Sequence, residues 1–335
     1  MKRFSLILAL GAVALLAQDI KQGTNSFFDD AEIKTYPLKS ILVEGEVENP
    51  GLVDLGALPL RNCPVKEVEL QKGRPEFKGA FFYSGYSLYD ILNARKVQKA
   101  KENGFAPPTD LYVIVANDKG EKASFSWGEI YYSRDNFKIL LAKSVQAINP
   151  SKLAVTKWAL PDEPRLICAN DFLNVRFVAN PTRITVKSSR GDFAAGKPKD
   201  VYAPEIRMVN GSNSVIIREI NSSVEKRTYS NVGYGHGMGF KGVEDVKGFV
   251  LKDVIRLQAK LSPDAYRDAV AVMSARDGYR CVFSLSEIMN RNDNLDFLLL
   301  DRKDVPAEGR YVLFATPDFF VDRNIKAIEK IEIVR

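Results

Sequence analysis

The chain repeats itself, and an internal repeat constrains a fold more tightly than any other feature of a single sequence. In the second half an apolar run at residues 269–273 leads through Asp277-Gly278-Tyr279 into Phe283-Ser284-Leu285-Ser286-Glu287-Ile288. In the first half residues 111–115 lead through Asn117-Asp118-Lys119-Gly120 into Phe125-Ser126-Trp127-Gly128-Glu129-Ile130. Both read as strand, turn, strand and helix start. The flanks repeat in the same order. Gly85-Tyr86-Ser87-Leu88-Tyr89-Asp90-Ile91-Leu92 answers Gly248-Phe249-Val250-Leu251-Lys252-Asp253-Val254-Ile255, each a glycine opening a short helix. Residues 138–142 answer 297–301, 165–172 answer 310–319, and 183–186 answer 330–333. Five blocks in register mark a duplicated domain, because solenoid units run to only about 20–50 residues.

The 335 residues accommodate two domains at about 100–200 residues each. The expected layout is a signal peptide at 1–17, a leader at 18–36, a first domain at 37–187, a linker at 188–202 and a second domain at 203–335. Lys2-Arg3 precedes an apolar run at 4–17, the basic head and short apolar core of a secretory signal. That run is shorter than the ~20 residues a helix needs to cross a bilayer, and no cysteine follows it for lipid attachment. A periplasmic or secreted protein with no stable membrane span after cleavage is the expectation. The net charge of +6, or +4 once Lys2 and Arg3 are removed, is carried by basic residues scattered among acidic ones, which excludes a nucleic-acid surface.

The same blocks resemble a known family. The opening Val43-Glu44-Gly45-Glu46-Val47-Glu48-Asn49-Pro50, the glycine-led helix start at 85–92, the Asp-Gly-Tyr hairpin with Phe-Ser-x-x-Glu-Ile, and the alternating terminal strand look like the molybdopterin-binding domain of the sulfite oxidase family. The resemblance covers most of 37–187 and, more weakly at its start, 203–335. It implies an α+β fold, two tandem sulfite-oxidase-like domains with mixed sheets and β-barrel character, and in working members a molybdenum cofactor. The family's cysteine ligand follows the strand after a D-L-x-x-L-P segment, here similar to Asp54-Leu55-Gly56-Ala57-Leu58-Pro59. Gln71-Lys72 stand where that thiolate belongs, and Cys63 lies about eight positions early, more than 20 Å away at ~3.3 Å per residue. Residues 217–229 of the second copy hold no cysteine, and His236 is the sole histidine of the chain. Family members that carry the cofactor outside the cell cross the membrane folded behind an Arg-Arg signal, whereas this head is Lys2-Arg3. Degenerate, cofactor-free copies are expected, with no catalytic residue.

Other chemistry is thinly represented. Residues 233–242 place glycine at every second position around His236 and Met238, readable as an anion nest or a copper site, or as a surface loop. Cys63 and Cys168 could bridge, or the cysteines could be buried small hydrophobes. Acidic pairs such as Asp162-Glu163 sit in polar turns, and no Gly-x-Ser-x-Gly elbow surrounds any serine. For a retained binding scaffold the expected pocket lies beside Phe81, Phe82, Tyr83 and Tyr86, bordered by Lys72 with Tyr83 or Tyr86. In the second copy the glycine loop around His236 should cover the corresponding place. Three functions remain open: a non-catalytic binder of an envelope protein or small ligand, a molybdopterin-dependent oxidoreductase without the thiolate, and a structural envelope component.

Overall fold

The computed structural model describes residues 31–100, 104–149, 158–191, 193, 202–303, 305 and 309–335. The expected signal peptide at 1–17, the leader as far as residue 30 and most of the linker lie outside the described residues. The first half runs β1 (Ile33–Thr35), β2 (Ser40–Gly45), β3 (Gly51–Asp54), β4 (Arg61–Gln71), β5 (Arg74–Ser87) and α1 (Leu88–Asn93). It continues with β6 (Leu111–Ala116), β7 (Lys122–Ser126), α2 (Trp127–Tyr131), β8 (Ile139–Ala147), β9 (Arg165–Cys168), β10 (Val178–Ala179) and β11 (Arg183–Ser188). The second half begins with β12 (Ile206–Asn210), β13 (Asn213–Ile217), β14 (Lys226–Gly235), β15 (Gly239–Val250), α3 (Leu251–Gln258) and α4 (Ala265–Asp268). It ends with β16 (Val270–Ala275), β17 (Arg280–Ser284), α5 (Leu285–Met289), β18 (Leu298–Asp301), β19 (Tyr311–Phe314) and β20 (Ile328–Val334).

The strands form four sheets, and the path of one half retraces that of the other. The first half holds a sheet of order β3-β2-β11-β6-β7, the second one of order β13-β12-β20-β16-β17. In each, the last strand runs parallel to the first long one, β11 to β2 and β20 to β12, and antiparallel to its other neighbour. The companion sheets are β10-β9-β8-β5-β4, joined at β8 by β1, and β14-β15-β18-β19. Each half packs the inner faces of its two sheets together. Val43, Val113, Phe125, Leu141 and Leu166 meet in the first core, and Met208, Met273, Phe283, Leu299 and Leu313 meet in the second. Phe125-Ser126-Trp127-Gly128-Glu129-Ile130 and its counterpart at 283–288 occupy the same place in both, the end of an edge strand turning into a one-turn helix.

The expected α+β fold of two tandem sulfite-oxidase-like domains is overturned. Strand accounts for 48% and helix for 14%, with four small sheets in a propeller-like arrangement. The helices that the apolar spacing signalled exist, but α1, α2, α4 and α5 span only four to six residues and α3 eight. They cap strand ends and never form a layer over a sheet, so sheet packs on sheet. The polar leader also contributes structure at its end, where β1 pairs with residues 144–146 of β8.

Candidate binding surface beside a closed ionic cluster

Where the halves meet, the shared hexapeptide builds an ionic cluster of reciprocal contacts. Ser126 caps α2 by accepting from the Glu129 amide, and the Glu129 carboxylate accepts from the Ser126 amide; Ser284 and Glu287 do the same for α5. Arg176, on a short 3-10 turn after β9, donates two hydrogen bonds to Asp171 (2.6 and 2.7 Å) and two to Glu129 (2.9 and 3.0 Å). Arg323, at the matching turn after β19, grips Asp318 (2.6 and 2.7 Å) and Glu287 (3.1 and 3.2 Å). Each guanidinium lies over the phenylalanine of its own hexapeptide, Phe125 or Phe283. Each then reaches across. Arg176 donates to Ser284 Oγ at 3.1 Å, and Arg323 donates to Ser126 Oγ at 2.9 Å.

Backbone contacts repeat the exchange: the Phe172 amide donates to the Asn290 carbonyl (2.6 Å) and the Phe319 amide to the Tyr132 carbonyl (2.7 Å). One position breaks the symmetry. A Cβ on Gly128 would lie 2.3 Å from Arg323 Nε, whereas its counterpart Ser286 donates to Asp171 at 3.1 Å. Four carboxylates, Glu129, Asp171, Glu287 and Asp318, thus surround two guanidiniums out of water. Burial, with the repulsion of Glu287 and Asp171 added and the attraction of Arg176 opposing, pushes Glu129 up to about 7. Burial likewise raises Asp318 despite Arg323 beside it. The cavity among these side chains is about 10 Å³, room for roughly one water. No substrate fits there; the cluster joins two halves.

A second contact between halves sits nearby. Arg280 pairs with the buried Asp110 at 3.0 Å while its guanidinium lies between the rings of Phe105 and Phe193, 4.2 Å from each. Thr109 and Ser124 donate to the carbonyls of Arg280 and Asp268, 2.9 Å each.

The open chemistry lies on the β14–β15 hairpin. Val232 faces Val243 and Tyr234 faces Phe240 across the ladder, so four apolar side chains share one side, all exposed. Phe319, also exposed, brings its ring to 6.0 Å from Tyr234, and Phe320 continues the patch inward to Tyr132 at the junction of the halves. The opposite side of the same strands carries Gly233 and Gly235. The stretch expected as a loop is therefore the end of β14, a tip at residues 236–238 and the start of β15. His236 donates its amide to Asp322 (2.8 Å) and sets its ring edge-on to Phe320 at 5.3 Å, while Met238 is 83% exposed. Among the described residues no group of three or more His, Cys, Asp and Glu is placed to hold a metal ion.

The pocket residues expected from sequence are not brought together. Gln71 ends β4, and exposed Lys72 with Gly73 forms its turn into β5, both with positive φ (47° and 79°) as a two-residue hairpin loop demands. Tyr83 is fully buried on the outer side of its sheet and donates its hydroxyl to the buried Glu67. Tyr86, three residues on, faces the other way into the inner core, as strand alternation requires of an odd spacing. Phe81 packs with Tyr83 and Phe82 is half-buried. All three cysteines are unbridged and buried, with Cys63 and Cys168 in different apolar clusters, and burial pushes Cys63 and Cys281 up to about 12. No family model matches the chain, and no curated protein matches it.

Proposed function

We propose that this is an exported, non-catalytic binding protein that engages an envelope protein through the apolar side of the β14–β15 hairpin. The observation that carries the reading is the contiguous exposed patch of Val232, Val243, Tyr234, Phe240 and Phe319. Isolated exposed apolar residues are ordinary, but a cross-strand cluster of them on a projecting hairpin costs solubility and marks a contact site. The first copy supplies a comparison: β4, the counterpart of β14, carries Pro64, Lys66, Glu67 and Glu69, residues that discourage pairing of an edge strand. β14 has neither proline nor carboxylate, and its two cations, Lys226 and Arg227, stand at the end of the strand away from Val232 and Tyr234. The apolar run behind Lys2-Arg3 supports export.

A photo-crosslinking residue placed at Val243 in cells should trap a single dominant protein, and Val232→Ser with Phe240→Ser should abolish the adduct. The same residue at Lys66 of the first copy should trap nothing. Equal crosslinking from both positions would dismiss the reading. Stoichiometric molybdenum in protein made by a host that supplies molybdopterin would favour the oxidoreductase instead.

A further inference from the structure

The other side of that hairpin borders an open cavity of about 260 Å³. Its floor is the outer face of the second half's smaller sheet: Val246 on β15, Leu300 on β18, and Val312 and Phe314 on β19. Among the described residues its rim carries the cations Lys241, Arg302 and Lys326 and the carboxylate Glu244. Gly233 forms part of the wall, where a Cβ would come within 3.2 Å of the Lys241 side chain.

The first half carries the same face with a different edge. In the first half the equivalent outer face, with Val65, Phe81, Tyr83, Leu140 and Ile167, is roofed by Tyr36 and by Trp158 and Leu160. Tyr36 is fixed there by its hydroxyl donating to the Pro161 carbonyl at 2.6 Å. The second face is equally buried and has Tyr229 of β14 packed against it, and beside it long basic side chains edge the cavity. An apolar floor selects an apolar body, and Lys241 and Arg302 at the rim select a negative head.

We propose that this cavity binds a small amphiphilic anion, a carboxylate carried on a short aliphatic body. The site is separate from the protein-docking side of the hairpin, goes beyond that role, and stands whether or not a partner docks there.

Isothermal titration of the chain without residues 1–17 with decanoate tests it, with decyltrimethylammonium as the cation of matching tail. Decanoate should saturate at one site per chain and the cation should not bind. Lys241→Gln and Arg302→Gln should each weaken decanoate about two- to fivefold, and together about tenfold. Phe240→Ser, which alters only the docking side, should leave decanoate affinity unchanged, so the two readings fail independently. Equal binding of both amphiphiles, unaltered affinity in the double variant, or no saturable heat below the micelle threshold would overturn the proposal. Lys241 is exposed, so its variant keeps the test valid should Arg302→Gln fail to fold.

Discussion

Arg323 holds two carboxylates of its own half and a hydroxyl of the other on one fully buried guanidinium. Its removal would leave Asp318 and Glu287 without the guanidinium that pairs them, and breaking a buried pair costs about 3–5 kcal/mol. Arg323→Met is therefore expected to destabilise by that order in urea unfolding, and Arg176→Met by a similar amount. An effect below about 1 kcal/mol, the range of exposed ion pairs, would show that water reaches the cluster. Neither arginine stood out in the sequence. Arginine is ordinarily a surface residue, and the matched blocks stop at Phe172 and Phe319, four residues short of Arg176 and Arg323. The signal was present as Asp-Phe-x-x-x-Arg in both copies, diluted by unlike residues between.

The one-turn helices are too short to hold themselves together, so their caps decide whether they form. Ser87 caps α1 within its own half, accepting from the Asp90 amide at 3.0 Å. Ser126 caps α2 and also receives Arg323 from the opposite half. Ser87→Ala should cost about 1 kcal/mol, as cap losses do, and Ser126→Ala measurably more. A cycle combining Ser126→Ala with Arg323→Lys should show coupling of at least ~0.5 kcal/mol, and additivity would mean the cross-half contact contributes nothing. At this scale the sequence was most readable. Strand, turn, strand and helix-start signals are local, and each fell where its chemistry placed it, with a Ser-x-x-Glu capping box closing each helix start. Helix length and class were not local properties: apolar spacing of three and four at 85–92 serves a strand end and a single turn equally well. The alternation Val232-Gly233-Tyr234-Gly235 was visible as spaced glycines, but its meaning is a strand with one bare and one apolar side.

The junction of the halves also gives the whole molecule a pH response. Burial pushes Glu129 up to about 7 in the folded chain from its ordinary 4.5, so the folded chain holds a proton that the unfolded chain releases earlier. Its contribution to stability is full below about pH 4.5 and is lost as pH rises toward 7. Urea midpoints should fall across that window, and Glu129→Gln, which keeps an acceptor for the Ser126 amide, should flatten the fall. An unchanged slope in the variant would place the titration elsewhere. The reciprocal arginine-to-serine exchange has the form of a closed two-fold contact between identical subunits, with the subunits carried on one chain. In a true pair every substitution is made twice and each surface is condemned to match its twin. Inheritance on a single chain lifts that obligation, so one copy can edge its outer sheet face with Tyr36 and Trp158 while the other edges its own with basic side chains and exposes an apolar hairpin, and the molecule gains two unlike faces from one design.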